Sequence, residues 1–175
     1  MTSGQENEAS GVFSRAGGFG AIASQAGQKS TACGIFNANG DAQWSDFVAS
    51  RSVTHSDASW YSLFVGGASV GQLGIDVATD TVMTFDCLIV GTTQGCTKSF
   101  SFRIEGAVEN DGGTTSILAS TVTTIYDADD VSFDAQVAAD DPNDRLLIQV
   151  QDTDGTGDTV RWVAVVRTSE VTYPA

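Results

Sequence analysis

In residues 158–173, "DTVRWVAVVRTSEVTY", Val160, Trp162, Ala164 and Val166 fall on one face of a strand and Arg161 and Arg167 on the other. The same period of two recurs upstream. "FVASRSV" (47–53), "WYSLFV" (60–65) and "MTFDCLIV" (83–90) are short strand candidates separated by Gly, Asp and Ser. In "SFSFRIEGAV" (99–108), Phe100, Phe102, Ile104 and Val108 alternate with Ser101, Arg103 and Glu105. "NDGG" (110–113) then supplies residues that tolerate positive φ, and "TSILASTVTTIY" (115–126) runs back, which predicts a hairpin. "SFDAQVA" (132–138) and "RLLIQV" (145–150) follow, and "DTDGTGD" (152–158) turns the chain into the terminal strand. Strands at short intervals without a long helix predict an all-β fold, an antiparallel β-sandwich or jelly-roll-like knob. The terminal strand is then a sheet partner, with Trp162 as a core anchor.

The first forty residues lack this pattern. "SGVFSRAGGFGAIASQAGQKSTACG" (10–34) is rich in Gly, Ala and Ser, with Val12, Phe13, Phe19 and Ile22 as lone apolar residues. It has neither a sustained period of two nor a helical stripe, and glycine at this density weakens any regular element. The expectation is an extended N-terminal arm over 1–40, ordered against something else, ahead of a β-sandwich module over 41–175.

The chain has 175 residues and is 41% hydrophobic, enough for one domain with a real core, or one domain with an arm. No apolar stretch approaches the roughly 18 residues of a membrane helix, so no membrane partner is expected. The polar, acidic N-terminus has neither the basic nor the apolar region of a secretory signal. That predicts a protein that stays in the cell that makes it unless it leaves as part of something larger. A net charge of −14, with only eight Lys and Arg scattered along the chain, argues against nucleic acid, which requires a basic stripe. Ten aspartates in 127–158 stand against Arg145 alone, and such a surface keeps a high-copy protein soluble.

Candidate chemistry is sparse. "GASVG" (67–71) matches a nucleophile pattern around Ser69, but the following "QLGID" offers no helix to form the elbow, and His55 is the one histidine available as a base. "HSDASW" (55–60) crowds His, Ser and Asp within three residues, whereas a triad draws on separated segments, so His55 is expected in a loop. "DTDGTGD", "DADD" (127–130) and "DDPND" (140–144) resemble calcium loops in spacing but lack a downstream bidentate Glu, and read as turns. Cys33, Cys87 and Cys96 contain no CxxC pair, which argues against zinc. Cys87 and Cys96 are placed to lie across a hairpin, yet reduced thiols are the default for a protein made in the cytoplasm. No enzyme activity, cofactor or metal is expected.

Residues 40–173 resemble a β module that recurs in virion-surface proteins of tailed bacteriophages, capsid decoration proteins and tail-fibre tips among them. The resemblance is carried by "GDAQWSDFVASRSVT" (40–54), "TFDCLIVGTT" (84–93), "FSFRIEGAVENDGGTTSILAS" (100–120), "DDVSFDAQVAADDPNDRLLIQV" (129–150) and "VRWVAVVRTSEV" (160–171), in conserved order. It implies a virion-surface role, commonly as a homotrimer, and carries over no catalytic residue. An arm plus a compact knob suits a capsid decoration (cement) protein at threefold or quasi-threefold positions. Val12, Phe13, Phe19 and Ile22 would then dock on the major capsid protein, and the protein would be made in the host bacterial cytoplasm and end on the capsid surface. The alternative is a short tail-fibre tip or head-fibre adhesin that binds a host surface glycan through Trp44, Trp60 and Tyr61.

Overall fold

The computed structural model describes residues 1–66, 72–127 and 132–173, and they are almost entirely β. Five strands come first: β1 (Thr2–Gln5), β2 (Glu8–Ala9), β3 (Arg15–Phe19), β4 (Ile22–Ala23) and β5 (Lys29–Cys33). β6 (Ala42–Thr54) follows, then the short β7 (Tyr61–Ser62), β8 (Phe64–Val65), β9 (Gln72–Leu73) and β10 (Ile75–Asp76). The remaining strands are β11 (Thr81–Thr93), β12 (Ser99–Asp111), β13 (Thr114–Asp127), β14 (Phe133–Asp140), β15 (Arg145–Asp152) and β16 (Thr159–Thr172).

A large sheet runs in the order β1-β3-β5-β6-β16-β11-β12-β13, with the β8–β9 pair attached to β6. A smaller sheet runs β10-β15-β14, with β7 paired to β15. From β6 to β13 every pairing in the large sheet is antiparallel. The expected hairpin is present as β12–β13, turned at Gly112 and Gly113, both at positive φ. β16 is a central strand, bonded to β6 on one side and β11 on the other.

The two sheets face each other across one core. Phe47, Phe100, Phe102, Ile104 and Trp162 come from the large sheet, and Phe133, Leu146, Ile148 and Val150 from the small one. Phe100 stacks on Phe133 across the gap at 3.9 Å between centroids. Trp162 is buried, as its alternation predicts, and its ring lies over Gly91 on β11. An added Cβ at Gly91 would lie 2.4 Å from that ring, so the indole fits there because position 91 has no side chain.

The extended arm is corrected. Residues 1–33 form successive coils stacked in parallel: Thr2–Gln5 pairs with Ala16–Phe19, and Arg15–Phe19 with Lys29–Cys33. β2 pairs with β4 at the same offset, Glu8 with Ile22 and Ala9 with Ala23, so the chain returns on itself every 14 residues. The interior of these coils is alanine: Ala16, Ala21, Ala23 and Ala32, with Ala9 packed against them. Small side chains fill the apolar interior of so thin a coil, and its ladders are made by backbone groups. The Gly, Ala and Ser content that reads as an arm is the composition the coil requires. Gly4 and Gly18 occupy equivalent positions at φ +109° and +93°, and an added Cβ would lie 1.9 Å and 2.0 Å from the carbonyl oxygen of Gly18 and of Ala32, one coil further on.

Amide side chains tie the coils together and to the sandwich. Asn7 Nδ2 donates to the carbonyls of Ser3 and Gly18, while its Oδ1 accepts from Ala21 N–H. Gln25 makes a two-way pair with the backbone of Asp76 at 2.8 and 3.1 Å. Gln28 Nε2 donates to Ser45 Oγ, and Gln43 Oε1 accepts from Ile22 N–H. β5 joins β6 over Lys29–Thr31, which extends the large sheet into the coils.

Candidate functional site

The residues singled out for capsid contact separate in the structure. Val12 and Phe13 stand out from the turn between β2 and β3, 65% and 90% exposed, whereas Phe19 and Ile22 are half-buried in the coils. Among the aromatics singled out for surface recognition, Trp44 lies on the outer face of β6, 39% exposed, with the Arg167 guanidinium 5.5 Å from its ring centre. Trp60 and Tyr61 lie elsewhere and are half-buried. Tyr61 packs on the core, meets His55 edge-on at 5.3 Å and donates its hydroxyl to Asp57. The three aromatics therefore do not form one surface.

His55 lies in the loop after β6, as expected, and is fully buried there. Its ring is enclosed by Tyr61, Phe133 and Trp162, and Nε2 accepts the Trp162 indole N–H at 3.2 Å. Nε2 is thus unprotonated and Nδ1 carries the proton, without a hydrogen-bond partner. Desolvation pushes its pKa below the ordinary value and outweighs the pull of Asp152, Asp57 and Asp158 in the other direction. A ring so enclosed does not reach a substrate. Ser69 lies outside the described residues.

Carboxylates of the acidic loops accept hydrogen bonds from their own loop or from the neighbouring strand. Asp152 accepts from Asp154 N–H, Thr156 N–H and the Thr156 hydroxyl. Burial alone would raise its pKa, and those hydrogen bonds hold it below the usual carboxylate value. In the 140–144 turn, Asp141 accepts from Thr115 N–H and Asp144 from the Thr115 hydroxyl, which anchors the turn to β13. Asp127 ends β13, and positions 128–130 lie outside the described residues. Among the described residues, no group of three or more His, Cys, Asp or Glu is placed to hold a metal. The three cysteines are free thiols, with Cys87 in the core, where burial raises its pKa to about 12, and Cys96 exposed.

The site the structure does build is the outer face of the large sheet. Register places Val48, Val165 and Leu88 side by side on β6, β16 and β11, and Val163 beside Val90 in the next outward-facing row. All five are 42–53% exposed. On the other side of Val48, Val165 and Leu88 runs a charged row: Asp46 pairs with Arg167, and Arg103 bridges Asp86 and Glu105. Exposed pairs of this kind contribute little to stability, about 0–1 kcal/mol each. Their effect is to neutralise charge on that face.

Beyond this row the sheet opens into a trough of about 520 Å³. β5 leaves β6 after Thr31, and the trough lies between Ala32, Cys33 and Phe36 on one side and Trp44, Val82 and Val171 on the other. Phe36 is 75% exposed. Sequence reasoning missed Phe36 because it sits alone in irregular chain. It also missed the outer valines, although Val163 and Val165 alternate with core residues and so make β16 apolar on both faces. That is unusual for an antiparallel strand with one open side.

No family model matches the sequence, and no curated protein matches it. Among solved structures, the chain is similar to tailspike protein gp49 from Acinetobacter baumannii bacteriophage Fri1, a capsular polysaccharide depolymerase, with 10% identity and a TM-score of 0.42 over 90% of this chain and 25% of that one. It is also similar to the Acinetobacter baumannii phage AM24 tailspike protein, with 9% identity and a TM-score of 0.38 over 91% of this chain and 31% of that one. The chain spans a quarter to a third of the length of those proteins. Likeness of this degree carries no argument about activity or partner.

Proposed function

We propose that the chain is a non-catalytic structural protein of a tailed-bacteriophage virion surface. It works as a homotrimer, and its leading role is capsid decoration, seated on the major capsid protein. The observation that carries self-association is the outer face around Val48, Leu88, Val90, Val163 and Val165. Five half-exposed aliphatic side chains sit in adjoining rows of one face, and the largest apolar patch of a soluble monomer, roughly 300–600 Å², is often functional. Charge supports a second copy as the occupant. By register this face holds Arg103, Arg161 and Arg167 against Asp46, Asp86, Glu105 and Glu109, nearly balanced on a chain of net charge −14. Copies meeting elsewhere on the acidic sandwich would repel one another. The resemblance of residues 40–173 supplies the virion setting.

Light scattering of the full chain at micromolar concentration should report about three copies, and Val165→Asp should reduce the mass to one copy without unfolding the protein. A monomeric wild type overturns the proposal. A fibre-tip or head-fibre adhesin that binds a host surface glycan is the second reading, favoured by exposed Trp44 and Phe36 on one trough. Copy number per virion separates the two: hundreds for decoration, a few to tens for a fibre or tip.

A further inference from the structure

The turn carrying Val12 and Phe13 is held rigidly and displays its side chains outward. Gly27 N–H donates to Val12 O at 2.8 Å, Ser14 N–H to Gly11 O, and Gly11 N–H to Ala23 O. Phe13 nevertheless sits at φ +59°, a conformation that bulky side chains avoid, and 90% of it faces solvent. Strain and exposed aromatic surface each cost stability, and a fold that fixes both in place points to an interaction.

The trough bounded by Phe36, Trp44, Val82 and Val171 is an apolar hollow of about 520 Å³ at the other end of the coil strands. The Val12–Phe13 turn precedes Arg15, where β3 begins beside Lys29, while the trough is lined by Thr31, Ala32 and Cys33 in the second half of β5. Charge matches the same direction. The coils of residues 1–33 hold Arg15 and Lys29 against Glu6 and Glu8, with both bases on the turn side at the start of β3 and β5, whereas residues 41–175 hold 20 acids against six bases and Glu170 lines the trough.

We infer that copies of this chain associate head to tail, with the Val12–Phe13 turn of one seated in the Phe36–Trp44 trough of the next. This rests on the self-association proposed above and adds to the outer face a second contact. Arg15 and Lys29 beside the turn of one copy then meet the acidic body of its neighbour, which steers and orients the encounter. A preformed turn entering an existing hollow loses little freedom on binding. Because every copy carries both halves of the contact, the geometry is heterologous, and a ring of three closes it.

Cys33 lies in the trough and is exposed, which provides the test. Full-length Val12→Cys, which keeps the Phe13 ring, is oxidised mildly and run on a non-reducing gel, with peptide mapping of the products. Within one chain the two positions lie at opposite ends of a five-residue strand, about 15 Å apart at strand rise, too far for a disulfide. A 12–33 linkage between chains, giving a ladder that stops at three and disappears in Val12→Cys with Cys33→Ser, is the expected result. Phe13→Ser should also shift the light-scattering mass from three copies toward one, with an unchanged melting temperature. If wild type is a trimer but no 12–33 linkage forms and Phe13→Ser keeps its mass, this contact is overturned and self-association through the outer face stands. If wild type is a monomer, both fail.

Discussion

The coil stack and the sandwich share one sheet and are held together by opposite means. The sandwich buries Trp162, Phe47, Phe100, Phe102 and Phe133 between two layers, whereas the coils bury four alanines. Apolar burial is worth about 25 cal/mol per Å², so nearly all of the hydrophobic driving force lies in the sandwich. The coils depend on parallel backbone ladders and on Asn7, Gln25, Gln28 and Gln43, which fasten one turn to the next and the stack to β6 and Asp76. A thin element can be ordered without a large core when a neighbour supplies the platform and amides supply the fastening.

The sharpest way to break that comparison is to remove the aromatic anchor. Trp162→Ala should cost about 3–5 kcal/mol and unfold both regions together, since the coils have no core of their own. A denaturant titration followed by far-ultraviolet circular dichroism would show one transition at a lower midpoint. Gly18→Val should do the reverse. It forces a β-branched residue to φ +93° and into the Ala32 carbonyl, at a cost of about 1–3 kcal/mol. Hydrogen exchange should rise over residues 1–33 while strands β11, β12 and β16 stay protected. Gln25→Ala removes two hydrogen bonds to Asp76 and should cost about 1–3 kcal/mol, read as faster proteolysis of the coils with an unchanged fluorescence spectrum from the sandwich. The smallest effect expected is on the pH dependence of the sandwich. Folding lowers the His55 pKa, so the unfolded chain binds the proton more tightly. The contribution is therefore fully present above the ordinary histidine value of 6.5 and is lost as pH falls from there through the lowered value. The protonated ring would also set an N–H against the Trp162 N–H. The melting temperature should fall between pH 7 and pH 5, and His55→Gln, which keeps an acceptor and cannot titrate, should flatten that slope.

Legibility in the sequence follows the same division. Period two identified the strands that became β6, β11, β12, β14, β15 and β16 because each lies on a core that takes apolar side chains at alternate positions, whereas β13, mostly exposed, was legible through the turn before it. The 14-residue return of the coils left only Gly4 above Gly18 and Ala9 above Ala23, signals that small residues make too weakly to stand out. The burial of His55, though not its place in a loop, was illegible for a different reason. Its neighbours Thr54 and Ser56 are polar, and its burial is supplied from a distance by Phe133 and Trp162 and by the backbone of Gly157 and Asp158. Trp44 was read as one of three candidate aromatics, and only the register of β6 against β5 shows that its companion is Phe36 rather than Trp60 or Tyr61.

The position of β16 constrains how the protein is made. β6 and β11 are neighbours only through β16, to which β6 pairs across more than a hundred residues. Until that strand leaves the ribosome, β6 and β11 each present an unpaired edge and one side of an unfinished core, and neither can close on the other. The large sheet is therefore completed only once residues through 172 have been made, with the slow folding that long-range pairing brings. For a protein made in many copies at once, crowded nascent chains with open strand edges would pair with one another. A chain ending before residue 159 would lose the link between the two halves of its sheet, and not merely one strand.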